Sequence, residues 1–523
     1  MRPQPPSAAD SLPDTRTMPD TRNHDAGGEP CLLAIDQGTT SSRTIVFDIR
    51  GSIVSVGQVA FAQHFPHPGW VEHDPHEIWE SQQRSIHAAL EGADLTPGQL
   101  QAVGIANQRE TFLVWERSSG TPLTPAIVWQ DRRSSALCAR LRAQGHEDEV
   151  QRRTGLLIDP YFSGTKLAWL LEQDPDLRRR GEAGELCFGT IDTWLMWKLC
   201  GAGTHLIDLT NASRTMLMNL ACGQWDEHML ALLRIPPRML PRIVPSTLDA
   251  HELPLTSLGI PLTGIAGDQQ AALFGQAASR PGMAKNTYGT GCFMLMQLGT
   301  QMRCSQHRLL TTSACSAGGT ERLYALEGSV FVAGAAIQWL RDELGLLHDS
   351  AQSAALAASV PDTADCFLVP AFTGLGAPHW DAQARGALIG LTRGTRRAHI
   401  VRAALESIAY QSAEVLAAMR ADASQPLTEL RVDGGACAND WLMQFQADIL
   451  GVPVNRPTVR ESTALGAAQL AGIGCGLFGS PEDCGSMRQV DRIFEPGMSS
   501  DEAAQRMARW SQAVERARGW ALE

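Results

Sequence analysis

The chain has 523 residues, of which 44% are hydrophobic and 19% are charged, and its formal net charge is −12. This length exceeds what one hydrophobic core organises, so we expect two domains with a ligand cleft between them. The acidic balance argues against nucleic acid or an anionic membrane as the main partner, and no apolar run is long enough for stable membrane insertion.

Lysine occurs only three times, at Lys166, Lys198 and Lys285, so 41 of the 44 basic residues are arginines. None of the lysines stands in a P-loop frame, so any bound phosphate must be met by backbone N–H groups, hydroxyls, arginine and a metal. The twelve cysteines form no Cys-x-x-Cys pair. They predict reduced core residues of a cytoplasmic protein.

The chain opens with a segment rich in Pro, Asp, Thr and Ser, and we predict that residues 1–30 are a disordered extension, with Met18 as an alternative start. Short apolar runs then predict strands at 31–36, 44–49 and 53–60. The first two flank the turn Asp36-Gln37-Gly38-Thr39-Thr40-Ser41-Ser42-Arg43. Its hydroxyls and amides can wrap an anion, and Asp36 can reach Mg²⁺, although a Gly-Thr turn is also common as plain structure.

Four histidines follow at positions 64, 67, 73 and 76, in two His-x-x-His pairs. The prolines and glycine between them predict a loop, which disfavours a zinc site. The next apolar strand, 102–106, is followed by Arg109-Glu110. An exposed ion pair is the common fate of adjacent charges, but the position at a strand end favours a ligand site.

The segment from Gly267 to Gly275 places Asp268 where a glycine turn enters a helix-forming run. Asp268 is therefore a candidate catalytic base, and the alternative is a plain helix cap. Pro281-Gly282 interrupts the pattern that follows. We accordingly predict domains at 31–277 and 278–523.

Two further glycine turns occur in the second half, around Gly289-Thr290-Gly291 and Gly434-Gly435. With the first turn they indicate a nucleotide clamped between the domains. Helices are predicted at 440–450, ended by Gly451, and at 499–520, a surface helix opened by the capping-box pair Ser499 and Glu502. Alternating strands and helices predict an α/β fold.

Long runs of the sequence, from about residue 31 to the C-terminus, resemble the FGGY family of carbohydrate kinases. These runs are Trp70–Pro75, Asn107–Thr111, Ala126–Gln130, Asp159–Lys166, Asn211–Thr215 and the Asp268 and Gly435 segments. The resemblance implies two actin/hexokinase-like (ribonuclease H-like) domains with a catalytic cleft between them. It also implies that ATP and glycerol are the substrates, with in-line transfer of the γ-phosphoryl group, and that the protein is a homodimer or homotetramer.

The resemblance further assigns a role to individual residues. Asp268 would be the general base, and Asp36 and Asp268 would bind Mg²⁺. Glycerol would be held by Arg109, Glu110, Trp129, Tyr161, Asp268, Gln269 and Phe293, with the aromatic rings as apolar walls. The nucleotide would be held by Thr39, Thr40, Ser41, Arg43, Thr290, Gly334, Gln338, Gly435 and Asn439.

The sequence departs from enteric relatives between Ser246 and Thr263, which contain no Lys or Arg and no Gly-Gly cluster. Those relatives carry a basic, glycine-rich loop there that binds fructose 1,6-bisphosphate, so we expect this effector not to inhibit. His251 in this stretch is interpreted as an ordinary loop residue. Two rival functions stay open: a kinase for another polyol or ketose, and a non-catalytic nucleotide-binding module.

Overall fold

The computed structural model describes residues 29–248, 255–317, 321–423 and 425–521. The predicted disordered extension up to residue 28, including Met18, and the loop histidine His251 lie outside these residues. In the described part of the chain, no helix is long and apolar enough to cross a bilayer.

The N-terminal half, up to residue 277, contains thirteen strands and nine helices within the described residues. The strands are β1 Cys31–Gln37, β2 Ser41–Asp48, β3 Ile53–Ala60, β4 Glu72–His73, β5 Leu100–Asn107, β6 Phe112–Glu116, β7 Ala126–Ile127, β8 Leu186–Thr190, β9 Leu206–Asp208, β10 Met218–Asn219, β11 Gln224–Trp225, β12 Arg242–Val244 and β13 Leu262–Gly267. The helices are α1 Pro75–Ala93, α2 Ser135–Ala143, α3 Glu147–Thr154, α4 Ser163–Gln173, α5 Pro175–Ala183, α6 Ile191–Cys200, α7 Leu209–Ala212, α8 Glu227–Leu233 and α9 Asp268–Gly275.

The C-terminal half, from residue 278, contains nine strands and seven helices in its described part. The strands are β14 Ala284–Tyr288, β15 Cys292–Gly299, β16 Leu310–Ser313, β17 Tyr324–Val330, β18 Phe367–Val369, β19 Ala387–Ile389, β20 Leu430–Asp433, β21 Val454–Pro457 and β22 Val490–Phe494. The helices are α10 Gly334–Asp342, α11 Gln352–Ala358, α12 Arg397–Asp422, α13 Asp440–Leu450, α14 Ser462–Gly474, α15 Pro481–Cys484 and α16 Ser500–Ala517.

The sheets of the two halves share a five-stranded order, to which the C-terminal sheet adds β16 and β22 at its edges. In the N-terminal half the sheet order is β13-β5-β1-β2-β3, with β1, β2 and β3 antiparallel and with β5 and β13 parallel to β1. In the C-terminal half β14, β15 and β17 form the same antiparallel meander, and β20 and β21 add in parallel on the other side of β14. The predicted α/β fold with two ribonuclease H-like halves is confirmed.

Helix α14 packs the two halves together. It comes from beyond residue 278, yet its residues share a buried core with β1, β2 and β5 of the first sheet. Glycine makes the approach possible, since a Cβ at Gly104 would lie 2.0 Å from the carbonyl oxygen of Ala467. The domain boundary at 277/278 stays a prediction.

Most predicted elements occur where the sequence pattern placed them. Strand β3 and helix α13 have the predicted bounds, and Gly451 ends α13 in the left-handed conformation at φ +65°. The predicted strand 44–49 begins earlier, at Ser41. The last helix runs only from Ser500 to Ala517, and one face of it is buried around Trp510, so it is not wholly a surface helix.

Candidate active site

Asp268 is the first residue of α9, directly after the buried strand β13. Its Oδ1 accepts a hydrogen bond from the N–H of Gln269 at 2.7 Å and lies 3.0 Å from Nε of Arg109. Gly267 occupies the capping position and lets the arginine approach, because a Cβ there would lie 2.7 Å from its Cγ and Cδ. Burial raises the pKa of Asp268, against the opposing effect of Arg109 and Lys285. Such a carboxylate is a better proton acceptor than an ordinary aspartate.

Arg109 and Glu110 follow strand β5, and both are buried rather than forming an exposed ion pair. Each has a different partner. Arg109 donates to Glu327 through Nη1 at 2.5 Å and Nη2 at 3.0 Å, and Nε of Arg214 donates to Glu110 Oε1 at 2.6 Å. Glu110 adopts the left-handed conformation at φ +61°, which is uncommon outside glycine and frequent at functional sites.

Glu327 and Arg214 were not predicted from the sequence. Arg214 also donates to Glu327 Oε1, at 3.1 Å, so one buried carboxylate joins two buried arginines. Burial alone would raise the pKa of Glu327, but Arg109 and Arg214 outweigh it and hold that pKa at about 2. The only signal in the sequence is an acidic residue inside the otherwise uncharged strand Tyr324–Val330.

Three aromatic rings stand together beside this charged network. The ring centroid of Trp129 lies 5.7 Å from that of Tyr161 and 6.4 Å from that of Phe293. The indole N–H of Trp129 donates to Oγ1 of Thr39 at 3.0 Å. The predicted glycerol wall is thereby joined to the predicted phosphate turn.

Two of the three lysines are fully buried, and each donates to the backbone carbonyl of one of these aromatic residues, which the sequence did not indicate. Nζ of Lys285 contacts Gln269 Oε1 at 2.5 Å, Thr287 Oγ1 at 2.6 Å and the carbonyl of Phe293 at 3.2 Å. Nζ of Lys166 donates to the carbonyl of Tyr161 at 3.0 Å and to that of Val128 at 3.1 Å. Burial lowers the pKa of each lysine to about 8.

The turn between β1 and β2 carries the predicted phosphate residues. Thr40 is exposed, and Thr39 and Ser41 are half-buried. Arg43 bridges two carboxylates, through Nη2 to Asp36 at 2.5 Å and through Nη1 to Glu461 at 2.7 Å. For Arg43 to contact a phosphate as predicted, one of these ion pairs must break, or the guanidinium must bind the carboxylate and the phosphate together.

The predicted nucleotide residues line a cavity of about 740 Å³ in the C-terminal half. All five that belong to that half lie on its wall: Thr290, Gly334, Gln338, Gly435 and Asn439. A Cβ added at Gly435 would meet no atom within 4 Å, so this glycine leaves open space on the ligand side. Ser350, Ser353 and Leu405 also lie on the wall and were not predicted.

The four histidines lie between the end of β3 and the first turn of α1. His73 is buried, its Nε2 lies 2.7 Å from Gln63 Oε1, and burial lowers its pKa to about 4. Among the residues that the structure describes, no three His, Cys, Asp or Glu side chains are grouped so as to cage a metal ion.

Residues 31–275 match the N-terminal domain of the FGGY family of carbohydrate kinases, and residues 284–475 match its C-terminal domain. The chain belongs to this family. A glycerol kinase of Bordetella parapertussis is 58% identical over 494 residues, which cover 94% of this chain and 97% of the relative.

Solved structures of carbohydrate kinases superpose on this chain. A Plasmodium falciparum glycerol kinase with ADP superposes with a TM-score of 0.86 at 35% identity, over 94% of this chain and 98% of that one. A gluconate kinase from Lactobacillus acidophilus superposes with a TM-score of 0.82 at 22% identity, over 94% of this chain and 98% of that one, and supports the fold alone.

Proposed function

We propose that this protein transfers the γ-phosphoryl group of ATP to glycerol and forms sn-glycerol 3-phosphate. The observation that carries the proposal is the position of Asp268, a carboxylate with a raised pKa that contacts the buried Arg109. The similarity to glycerol kinases over 94% of the chain supports glycerol as the acceptor.

The polar groups of the site suit a small triol. Glycerol has little apolar surface to bury, so it must be recognised through hydrogen bonds from groups that are costly to leave unpaired. Arg109, Glu110, Tyr161 and Gln269 supply donors and acceptors, while Trp129 and Phe293 pack on the carbon chain. This crowding of aromatic rings disfavours a pentose.

In the reaction, Asp268 accepts the proton of the terminal hydroxyl of glycerol, and the oxygen of that hydroxyl attacks the γ-phosphorus in line. The bond from this phosphorus to the β–γ bridging oxygen breaks, and ADP leaves. Phosphoryl transfer depends mainly on positioning and on stabilising charge, so hydroxyls and backbone N–H groups of the turn at Thr39–Ser41 and of Thr290 suffice for the phosphate oxygens. Packing between the halves excludes water, which would otherwise compete as acceptor.

We assign Mg²⁺ to Asp36 and Asp268. Their carboxylates are the hard oxygen ligands that Mg²⁺ prefers, and it commonly takes only one or two of them together with the substrate phosphates. Strands β1 and β13 flank β5 in one parallel arrangement, so both carboxylates stand at the same sheet edge. The metal would offset negative charge on the phosphates.

Three further properties belong to the same proposal. The protein forms a homodimer or homotetramer, which light scattering during gel filtration measures. It works in the cytoplasm, where ATP is available and where its twelve free cysteines would stay reduced. Its domains divide at 277/278, which limited proteolysis tests.

The deciding experiment measures ADP release by the purified protein with Mg-ATP and no acceptor, glycerol, erythritol or D-xylulose at equal concentrations. We expect strong stimulation by glycerol alone, and the product should be oxidised by a dehydrogenase specific for sn-glycerol 3-phosphate. Preference for xylulose would refute the role of the three aromatic rings. Nucleotide binding without any transfer would favour the non-catalytic alternative.

A further inference from the structure

We propose that Glu327 is a positioning residue for glycerol recognition, supplied by the C-terminal half to a pocket whose glycerol-binding charges belong to the N-terminal half. The proposal rests on the proposed function. Arg109 and Glu110 follow β5, whereas Glu327 lies on β17, 218 residues from Arg109 along the chain.

Glu327 fixes the plane of the Arg109 guanidinium. Both oxygens of the carboxylate accept from the guanidinium, one from each terminal nitrogen, at 2.5 and 3.0 Å. Two parallel hydrogen bonds of this kind fix the orientation of the guanidinium and also strengthen its pairing with the carboxylate. Nη1 also contacts Gln270 Oε1 at 3.3 Å, and Nε points to Asp268 at 3.0 Å. Four of the five N–H groups are thus engaged by described residues, and the fifth, on Nη2, is left for a substrate hydroxyl.

Glu327 controls Glu110 as well, through a second arginine. Nη2 of Arg214 donates to Glu327 and Nε of the same guanidinium donates to Glu110. Both arginines and both carboxylates are at most 3% exposed, so water cannot replace a lost partner. Removal of the charge on Glu327 would therefore release two of the groups that hold glycerol.

A buried ion network could serve folding alone, and the test must separate that role from positioning. The chain offers a matched control in Glu406 on α12, which is also buried. It accepts from Nε of Arg402 at 2.8 Å and from the hydroxyl of Tyr410 at 2.9 Å, within the core of the C-terminal half. Glu327→Gln and Glu406→Gln each remove a buried carboxylate that pairs with arginine, so both should lower the thermal midpoint.

We expect E327Q to raise the KM for glycerol by roughly 10- to 100-fold while the KM for ATP changes less than about twofold. E406Q should leave both within about twofold. The double variant Arg109→Lys with E327Q should lose less binding free energy for glycerol than the sum of the two single losses, because both changes break the Arg109–Glu327 contact. Additive losses would overturn the proposal, as would a glycerol KM in E327Q that matches the wild type.

If E327Q does not fold, Glu327→Asp is the deciding variant. Aspartate keeps the negative charge but is one methylene shorter, so its carboxylate lies farther from the two guanidinium groups. A glycerol KM raised at least threefold, with an unchanged KM for ATP, supports positioning, and an unchanged glycerol KM refutes it. The wild-type protein is assayed first. Absence of glycerol-dependent ADP release there refutes the proposed function, whereas normal wild-type activity with an unaffected variant refutes only the role of Glu327.

Discussion

Replacement of Asp268 by Asn tests the assignment of the general base most directly. Asn is the same size and keeps an oxygen that can accept from the N–H of Gln269 and from Nε of Arg109, the two contacts at 2.7 and 3.0 Å. Substrate binding should therefore survive. The proton acceptor is lost, and general base catalysis contributes about 10²- to 10⁴-fold.

We expect kcat for D268N to fall by about 10²- to 10⁴-fold, with the KM for glycerol within about fivefold of wild type. ADP release coupled to NADH oxidation measures both constants when glycerol is varied at saturating Mg-ATP. Asp226→Asn is the control, because Asp226 is a buried aspartate that caps α8 away from the site. A kcat for D268N above a tenth of the wild-type value would refute the assignment.

Three further outcomes are expected. Gly435→Leu should raise the KM for ATP about tenfold and leave the KM for glycerol and the thermal midpoint unchanged. The new side chain enters the nucleotide cavity rather than the protein core. A raised glycerol KM would contradict this prediction. Asp192→Asn should stabilise the protein at pH 8 by about 4 kcal/mol. Burial raises the pKa of Asp192 from 3.8 to about 7, so the cost of its charge to the folded state grows as the pH rises between those values. Chemical denaturation at pH 8 and at pH 4 should show the gain in unfolding free energy only at pH 8. Fructose 1,6-bisphosphate should not inhibit, since residues 246–263 contain no Lys or Arg; saturable inhibition in the ADP assay would refute this.

The local sequence pattern was sufficient to predict elements whose capping and terminating residues stand in the sequence itself. Helix α13 has an apolar face, an Asn439 cap and a terminal Gly451, and its bounds were predicted correctly. Strand β2 extends three residues further back than its apolar run, because Ser41–Arg43 pair with Gln58–Ala60 of β3. Hydrogen bonding to a neighbouring strand leaves no periodic signal in polar residues.

The last helix shows how one side chain can have two competing partners. Ser499 accepts from the N–H of Glu502 at 3.2 Å, which is one half of the predicted capping box. The carboxylate of Glu502 instead pairs with Arg506 one turn later, at 2.9 Å. The sequence contains both possibilities, and the i,i+4 ion pair is favoured on an exposed helix surface.

The site residues likewise include some that the sequence pattern predicted and some that it could not. Asp268, Arg109 and the glycine turns stand at strand ends, where chain order alone places ligand groups in an α/β fold. Glu327 and Arg214 could not be found by that argument, because each acts on a residue more than one hundred positions away. The Arg109–Glu327 pair depends on how the two halves pack, and the Arg214–Glu110 pair depends on the folding of the N-terminal half; no window of the sequence records either.

The arginines and lysines of this site meet acceptors of different geometry. Arginine supplies a planar pair of donors, and Arg109 and Arg43 place theirs on carboxylates. Lys285 instead places three N–H groups of one compact ammonium on three neutral oxygens, and Lys166 places two on backbone carbonyls. A guanidinium could not reach such convergent oxygens from a single point.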